Sequence, residues 1–226
     1  GPLTAELAQR AGKVVSVELD RSLLPVLSET MAPYPNVEIV PGDVMKLDLN
    51  ALAAEKFPGL RPIVCANLPY NITTPVLEKL VAAAAFESLT VLIQKEVAQR
   101  LSAPQGSGDG GSFTLFLQYY METELLFQVP REKFLPAPKV TSAVLRCVRR
   151  PRPAVEVEDE EFFFRCVRGA FLLRRKTLAN SLSAALPGVS REQVQQALAD
   201  CGLPADIRGE RLTLEQFAHL SGKLAK

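Results

Sequence analysis

The chain has 226 residues, 47% of them hydrophobic and 23% charged. Those proportions exclude disorder as the main state and allow one large domain, or a domain with a smaller appendage, to bury a real core. No run approaches the roughly 18 uninterrupted apolar residues of a membrane span, and no basic-then-apolar leader opens the chain, which begins at Gly1 rather than Met. Net charge is only +1, which does not suggest a globally basic nucleic-acid binder. The distribution is uneven, however: Arg131 to Lys176 holds twelve basic and six acidic residues, a local +6 that leaves the rest at −5. Such asymmetry points to an anionic partner engaged by one region, with a merely solvated basic surface as the alternative.

Cys65, Cys147, Cys166 and Cys201 lie far apart, and His219 is the only histidine. No Cys/His zinc site is expected, and a histidine-driven nucleophile would have to use a residue in an apolar-patterned C-terminal segment. Isolated cysteines suit a reducing, cytoplasmic compartment.

In chain order, Leu3 to Ala11 reads as a helix, Val14 to Glu18 as a strand and Arg21 to Thr30 as a helix. A strand at Val37 to Val40 ends in Pro41-Gly42-Asp43, and one at Ile63 to Ala66 runs into Asn67-Leu68-Pro69-Tyr70. Thr74 to Ala84 is helical, and Leu89 to Gln94 is a strand. This alternation predicts a parallel, doubly wound α/β sheet. Ligands in such sheets sit outside the carboxyl ends of the strands, where Glu18, Asp43 and Asn67 fall. Gly106 to Gly111 lacks the Lys-Ser/Thr ending of a phosphate loop and reads as a flexible connection. Phe113 to Phe127 and Val140 to Val148 look strand-like and could pair antiparallel at the sheet edge, joined by a loop in which Pro136 and Pro138 impose extension. Helical pattern returns over Glu161 to Leu173, Lys176 to Ala185, Arg191 to Asp200 and Leu214 to Leu220, with Ser190 and Thr213 as N-caps. The expected organisation is an α/β domain over 1–148, a linker over 149–158 and an all-α domain over 159–226.

Glu18 falls near the roughly 20-residue offset at which a strand-end acid follows a glycine turn and binds a ribose. Asp43 could accept from an adenine amine, so the two describe an adenosine-shaped ligand; a turn acid capping its own backbone is the alternative for each. Asn67-Leu68-Pro69-Tyr70 is the strongest single signal. An exocyclic amine is a poor nucleophile because its lone pair is delocalised into the ring. Two acceptors held against its hydrogens, an Asn oxygen and the carbonyl before a proline, favour the pyramidal nitrogen of a methyl-transfer transition state. Tyr70 offers a face for base stacking. A packing tyrosine in an ordinary turn is the alternative.

Asn67 to Pro75 (NLPYNITTP), Gln94 to Leu101 (QKEVAQRL), Phe134 to Val140 with Ser142-Ala143-Val144, Phe171 with Arg174 to Leu178 and Asn180-Ser181-Leu182, and Arg208 with Glu210-Arg211-Leu212 form five ordered motifs. Together they resemble the small-subunit (16S) ribosomal RNA adenine N6,N6-dimethyltransferases of the KsgA/RsmA type along the whole chain. The resemblance implies a Rossmann-like S-adenosylmethionine-dependent methyltransferase domain with a small helical C-terminal domain for rRNA recognition. It implies dimethylation of N6 on two adjacent adenines in the 3′-terminal hairpin of small-subunit rRNA, linked to ribosome biogenesis. It assigns the S-adenosylmethionine site to Gly1, Glu18, Leu19, Asp43, Val44 and Asn67. Catalytic roles fall to Asn67, Leu68, Pro69, Tyr70 and Phe134, with Tyr70 and Phe134 sandwiching a flipped base. Lys139, Arg174, Arg175 and Lys176 would meet rRNA phosphates.

The expected partner is the small ribosomal subunit, with no membrane, no metal and a monomeric state. Gly1-Pro2-Leu3-Thr4 looks like the tail of the family's glycine-rich cofactor loop, so the family's preceding segment and first strand are expected to be missing. Gly110 replaces a usual aromatic and Thr141 a frequent Asp. An erythromycin-resistance type enzyme acting on large-subunit rRNA, and a non-catalytic RNA-binding factor, are the alternatives; the Arg174 to Leu178 signature and the Phe134 loop argue against the first.

Overall fold

Short apolar runs that end in polar or turn-forming residues produce the parallel strands of this protein, and helices with buried apolar residues connect them. The computed structural model describes residues 1–225. The chain divides into two compact units, residues 1–92 and the residues from 93 onward.

In the first unit, helix α1 (Pro2–Ala8) leads to β1 (Val14–Glu18), a short 3₁₀ turn at Arg21–Leu23, α2 (Leu24–Met31) and β2 (Val37–Pro41). Strands β1 and β2 pair in parallel, Val14 opposite Val37 and Glu18 opposite Pro41. Then come α3 (Leu49–Lys56), β3 (Val64–Asn67), α4 (Thr73–Ala82) and β4 (Ser88–Gln94), whose last two residues enter the second unit. β3 and β4 are also parallel, with Asn67 opposite Leu92. Leu77, Leu89 and Val91 are fully buried here. The predicted strands stand within a residue or two of their expected bounds. Helix α3 was not expected; Asp48 starts it by accepting from the N–H of Ala51 at 3.0 Å.

The second unit holds α5 (Lys95–Leu101), α6 (Ser112–Tyr120), β5 (Met121–Val129), β6 (Ser142–Arg149), α7 (Glu160–Ala170), α8 (Leu178–Ala185), α9 (Arg191–Asp200) and α10 (Leu214–Leu224). β5 and β6 form the expected antiparallel pair. The strand-like reading of Phe113 to Phe127 is corrected over its first half, which is helix α6. Its aromatics have strand propensity but recur at helical spacing, and Phe116 touches both Phe113 and Tyr120 through ring contacts.

Helices α7 to α10 pack with α6 around Phe163, Cys166, Leu178, Leu182, Val194, Leu198 and Phe217, all at 0% exposure. Asp159 caps α7 by accepting from the Phe162 N–H at 2.9 Å. The predicted caps Ser190 and Thr213 are both present as capping boxes with Gln193 and Gln216. Two glycines are required by close approach: a Cβ on Gly169 would lie 2.9 Å from the Ala185 Cβ, and one on Gly209 would lie 2.7 Å from the Ala170 carbonyl oxygen. Residues 150–158 have no regular structure, yet the N–H groups of Arg150 and Ala154 donate to the carbonyls of Tyr120 and Tyr119.

The Gly106–Gly111 loop, expected to be a flexible connection, is docked instead. Arg211 packs on Gly108 and donates to the Ser107 carbonyl at 2.8 Å, while Gln105 accepts from the Leu214 N–H at 2.9 Å. Gly106 and Gly108 have φ of 74° and 96°, which suits glycine.

Candidate active site and RNA-facing surface

At the carboxyl ends of β1 and β2 the backbone brings Glu18 and Asp43 onto neighbouring turns. Glu18 is opposite Pro41, and its carbonyl accepts from the Gly42 N–H at 2.9 Å. Both acids are half-buried. The Asp20 N–H donates to Glu18 Oε1 at 2.8 Å, and the Met45 N–H donates to Asp43 Oδ1 at 2.9 Å. Each acid therefore caps a local turn, Glu18 through Oε1 and Asp43 through Oδ1. Such carboxylates suit the hydroxyl and amino donors of a nucleoside.

The Asp43 turn is pinned from a distance. Lys79 on α4 donates to the Met45 carbonyl at 2.6 Å, a contact between residues 34 positions apart that no local pattern announces. Asp20 accepts from the N–H and Oγ of Ser22, and these bonds hold its carboxyl below the usual carboxylate range. Leu19 is exposed and Val44 half-buried. Gly1 is exposed at the start of α1, where its carbonyl accepts from the Ala5 N–H at 3.1 Å.

The Asn67–Tyr70 segment is a strand-to-helix turn. Leu68 anchors it, with a buried side chain and an N–H that donates to the Leu92 carbonyl at 3.1 Å. The Pro69 carbonyl accepts from the Ile72 N–H at 3.2 Å and from Thr73 Oγ1 at 3.0 Å, which leads directly into α4. With its neighbour fixed in the core, Asn67 projects as an exposed residue at the end of β3; Tyr70 is half-buried. Thus Glu18, Asp43 and Asn67 all stand at carboxyl ends of parallel strands in one unit.

The other predicted site residues lie in the second unit. Phe134 is half-buried in the β5–β6 connection, and its N–H donates to the Arg131 carbonyl at 3.2 Å. Lys139, on the same loop, is exposed. Arg174, Arg175 and Lys176 are exposed on the turn between α7 and α8. Among the described residues none of these four cations is in an ion pair. Their turn is rigidly based: the fully buried Ser181 accepts from the Leu173 N–H at 3.1 Å and donates to the Gly169 carbonyl at 2.7 Å. Ser181 falls inside a motif noted in the sequence, but its positioning role depends on burial that the motif does not show. Among the described residues no group of His, Cys, Asp and Glu could hold a metal, and no helix is long and apolar enough to cross a membrane.

Residues 1–226 match the ribosomal RNA adenine dimethylase family. The chain is 46% identical to the ribosomal RNA small subunit methyltransferase A of Geobacillus sp. (strain WCH70) over 99% of its own length and 78% of that protein's. It is 47% identical to the protein of the same name from Geobacillus kaustophilus (strain HTA426), covering 100% of this chain and 78% of the relative. Among solved structures it is similar to the 23S rRNA methyltransferase ErmE, with TM-score 0.75 and 28% identity over 100% of this chain and 87% of that one. It also shares the fold of a dimethyladenosine transferase from Plasmodium falciparum, with TM-score 0.77 and 22% identity over 97% of this chain and 84% of that one.

Proposed function

From the premise that this chain belongs to the ribosomal RNA adenine dimethylase family, we propose that the strand-end residues of its first unit carry out the dimethylation on small-subunit (16S) rRNA. The enzyme is an rRNA adenine dimethyltransferase with a Rossmann-like fold. The finer reading is that it uses S-adenosylmethionine and modifies N6 of two adjacent adenines in the 3′-terminal hairpin of that RNA.

The Asn67–Tyr70 turn carries this reading, because it leaves a polar amide exposed at a parallel strand end while Leu68 locks the backbone behind it. Glu18 would accept from the ribose hydroxyls and Asp43 from the adenine amine of the cofactor, with Gly1, Leu19 and Val44 around them. When bound, the cofactor's sulfonium supplies an already activated methyl group. The chain's own residues then have to position and polarise the nucleophile. The Asn67 side-chain oxygen and the Leu68 carbonyl accept the two N6 hydrogens. That draws the nitrogen out of conjugation and aims its lone pair, a contribution of orientation and charge stabilisation. Pro69 fixes the turn and offers no competing N–H. Tyr70 and Phe134 supply apolar faces for an extruded base, each stacking contact worth about 1–3 kcal/mol. Lys139, Arg174, Arg175 and Lys176 hold phosphates, which fixes register without reading sequence. The helices from 159 onward act as the rRNA-recognition part, joined through 149–158 to the methyltransferase part over 1–148. Action on ribosomes in the cytoplasm as a monomer belongs to the same reading.

The test is methyl transfer from labelled S-adenosylmethionine to undermethylated small ribosomal subunits, with the product nucleoside identified by mass spectrometry. N6,N6-dimethyladenine in small-subunit RNA is the expected product. The structural likeness to the ErmE enzyme favours a second reading, large-subunit RNA as substrate. Product confined to the large subunit would establish that reading instead.

A further inference from the structure

The β5–β6 connection, residues 130–141, is long for a hairpin loop and holds a single 3₁₀ turn at Arg131–Lys133. Its base is closed by the Val129–Ser142 strand pair and by the Lys95 N–H, which donates to the Thr141 carbonyl at 3.0 Å. Near its tip stands Leu135 at 101% exposure, higher than any other large hydrophobic side chain among the described residues. Folding gains nothing from that side chain, since it buries no area there.

Its neighbour Phe134 has an extended backbone, φ −114° and ψ 148°. In extended chain successive side chains leave on opposite sides, so the half-buried Phe134 ring turns inward and Leu135 turns out. Pro136 and Pro138 restrict the residues before them and stiffen this presentation. The surroundings are cationic: Lys133 and Lys139 are exposed on the same loop and, among the described residues, neither is in an ion pair, whereas Arg131 is paired with Glu132 at 3.1 Å. An apolar knob carried on a stiff, lysine-flanked loop has the chemistry of a side chain that enters a nucleic-acid stack. Apolar residues of this kind insert between base steps and unstack them, while flanking cations hold the backbone.

We propose that Leu135 is a wedge that enters the base stack of the substrate RNA beside the target adenine and keeps the extruded adenine from returning. This rests on the reading of Phe134 as a stacking face for that adenine. Phe134 would receive the base on one side of the loop while Leu135 occupies its vacated place on the other. Leu135 is thus a positioning residue that acts on the RNA and not on the methyl group.

The experiment compares wild type, Leu135→Ala and Leu135→Met on undermethylated small subunits. A parallel set of particles carries the fluorescent base 2-aminopurine next to a target adenine. An exposed loop side chain can be truncated without disturbing the fold, which thermal melting checks. The expected result for Leu135→Ala is kcat/KM for the particle lower by about tenfold to a hundredfold, with KM for S-adenosylmethionine unchanged. Leu135→Met should restore most of the activity. Wild type should brighten 2-aminopurine on binding, as an unstacked base does, and Leu135→Ala should not. An alanine variant that methylates and brightens like wild type overturns the proposal. So does one that loses activity while brightening fully, because its defect then lies outside the stack. A wild type that makes no dimethyladenine in small-subunit RNA counts instead against the parent reading, and the wedge falls with it.

Discussion

The two units of this protein solve opposite problems. In the first, Val14 is the one residue of β1 that is buried, and β2 and β3 have none. Strands β1 to β3 carry Glu18, Asp43 and Asn67 at or just past their carboxyl ends. In the second unit, α6 to α10 close around side chains at 0% exposure, and their surface carries Arg174, Arg175 and Lys176 on a turn pinned by Ser181. The difference teaches a division of labour. In the proposed reading, strand ends of the first unit offer polar groups to a small ligand, whereas the cations that hold a large polyanion in register are mounted on a packed helical core.

The largest expected effect probes that core. Phe163→Ala should destabilise the second unit by about 3–5 kcal/mol, read from urea unfolding, whereas Val17→Ala in half-exposed β1 should cost about 1 kcal/mol. Equal losses would erase the contrast between the units. A smaller effect concerns pH. Tyr119 is 2% exposed and donates to Glu160 Oε2 at 3.1 Å; Tyr120 donates to the other oxygen. Burial first, and then the Glu160 charge, push the Tyr119 hydroxyl from its ordinary 10 up to about 12, and Tyr120 shifts in the same direction. Because the folded value is the higher one, the stability contributed by the neutral hydroxyl is complete below pH 10 and is lost as pH rises toward 12. Melting of wild type against Tyr119→Phe across that window should show the wild type falling more steeply; parallel curves would mean that the Tyr119 hydroxyl does not set the alkaline limit. The mildest probe is thiol labelling near pH 8. Burial pushes Cys147 and Cys166 up to about 12, whereas Cys65 and Cys201 are only partly buried and less shifted. Cys65 and Cys201 should react first, and Cys147 and Cys166 only as the second unit opens.

Much of the first unit was legible because its signals are local. Val14 to Glu18 was predicted with the bounds it has, and strand-end polar residues marked the candidate site before any geometry was known. Ser190 and Thr213 were legible for the same reason, since a cap and its partner lie three residues apart. The failures are non-local. Phe113 to Tyr120 has a strand-like composition, yet Thr114, Leu115, Gln118 and Tyr119 are buried at helical spacing on one face of α6. The Gly106–Gly111 loop read as flexible because the residue that holds it, Arg211, lies 104 positions from Ser107. Lys79, which steadies the Asp43 turn, escaped notice for the same reason.

The measurement that tests the division of labour most directly is methyl transfer and particle binding on the same samples of two variants. Asn67→Ala should lower kcat by about 10²–10³ while binding small subunits as wild type does. Arg174→Ala, Arg175→Ala and Lys176→Ala combined should weaken particle binding and flatten its salt dependence, by roughly 0.7 to 0.9 in slope for each phosphate that is no longer neutralised, with methyl transfer preserved at saturating substrate. If Asn67→Ala methylates like wild type, or the triple variant keeps its affinity and salt slope, chemistry and RNA holding are not divided between the two units in this way.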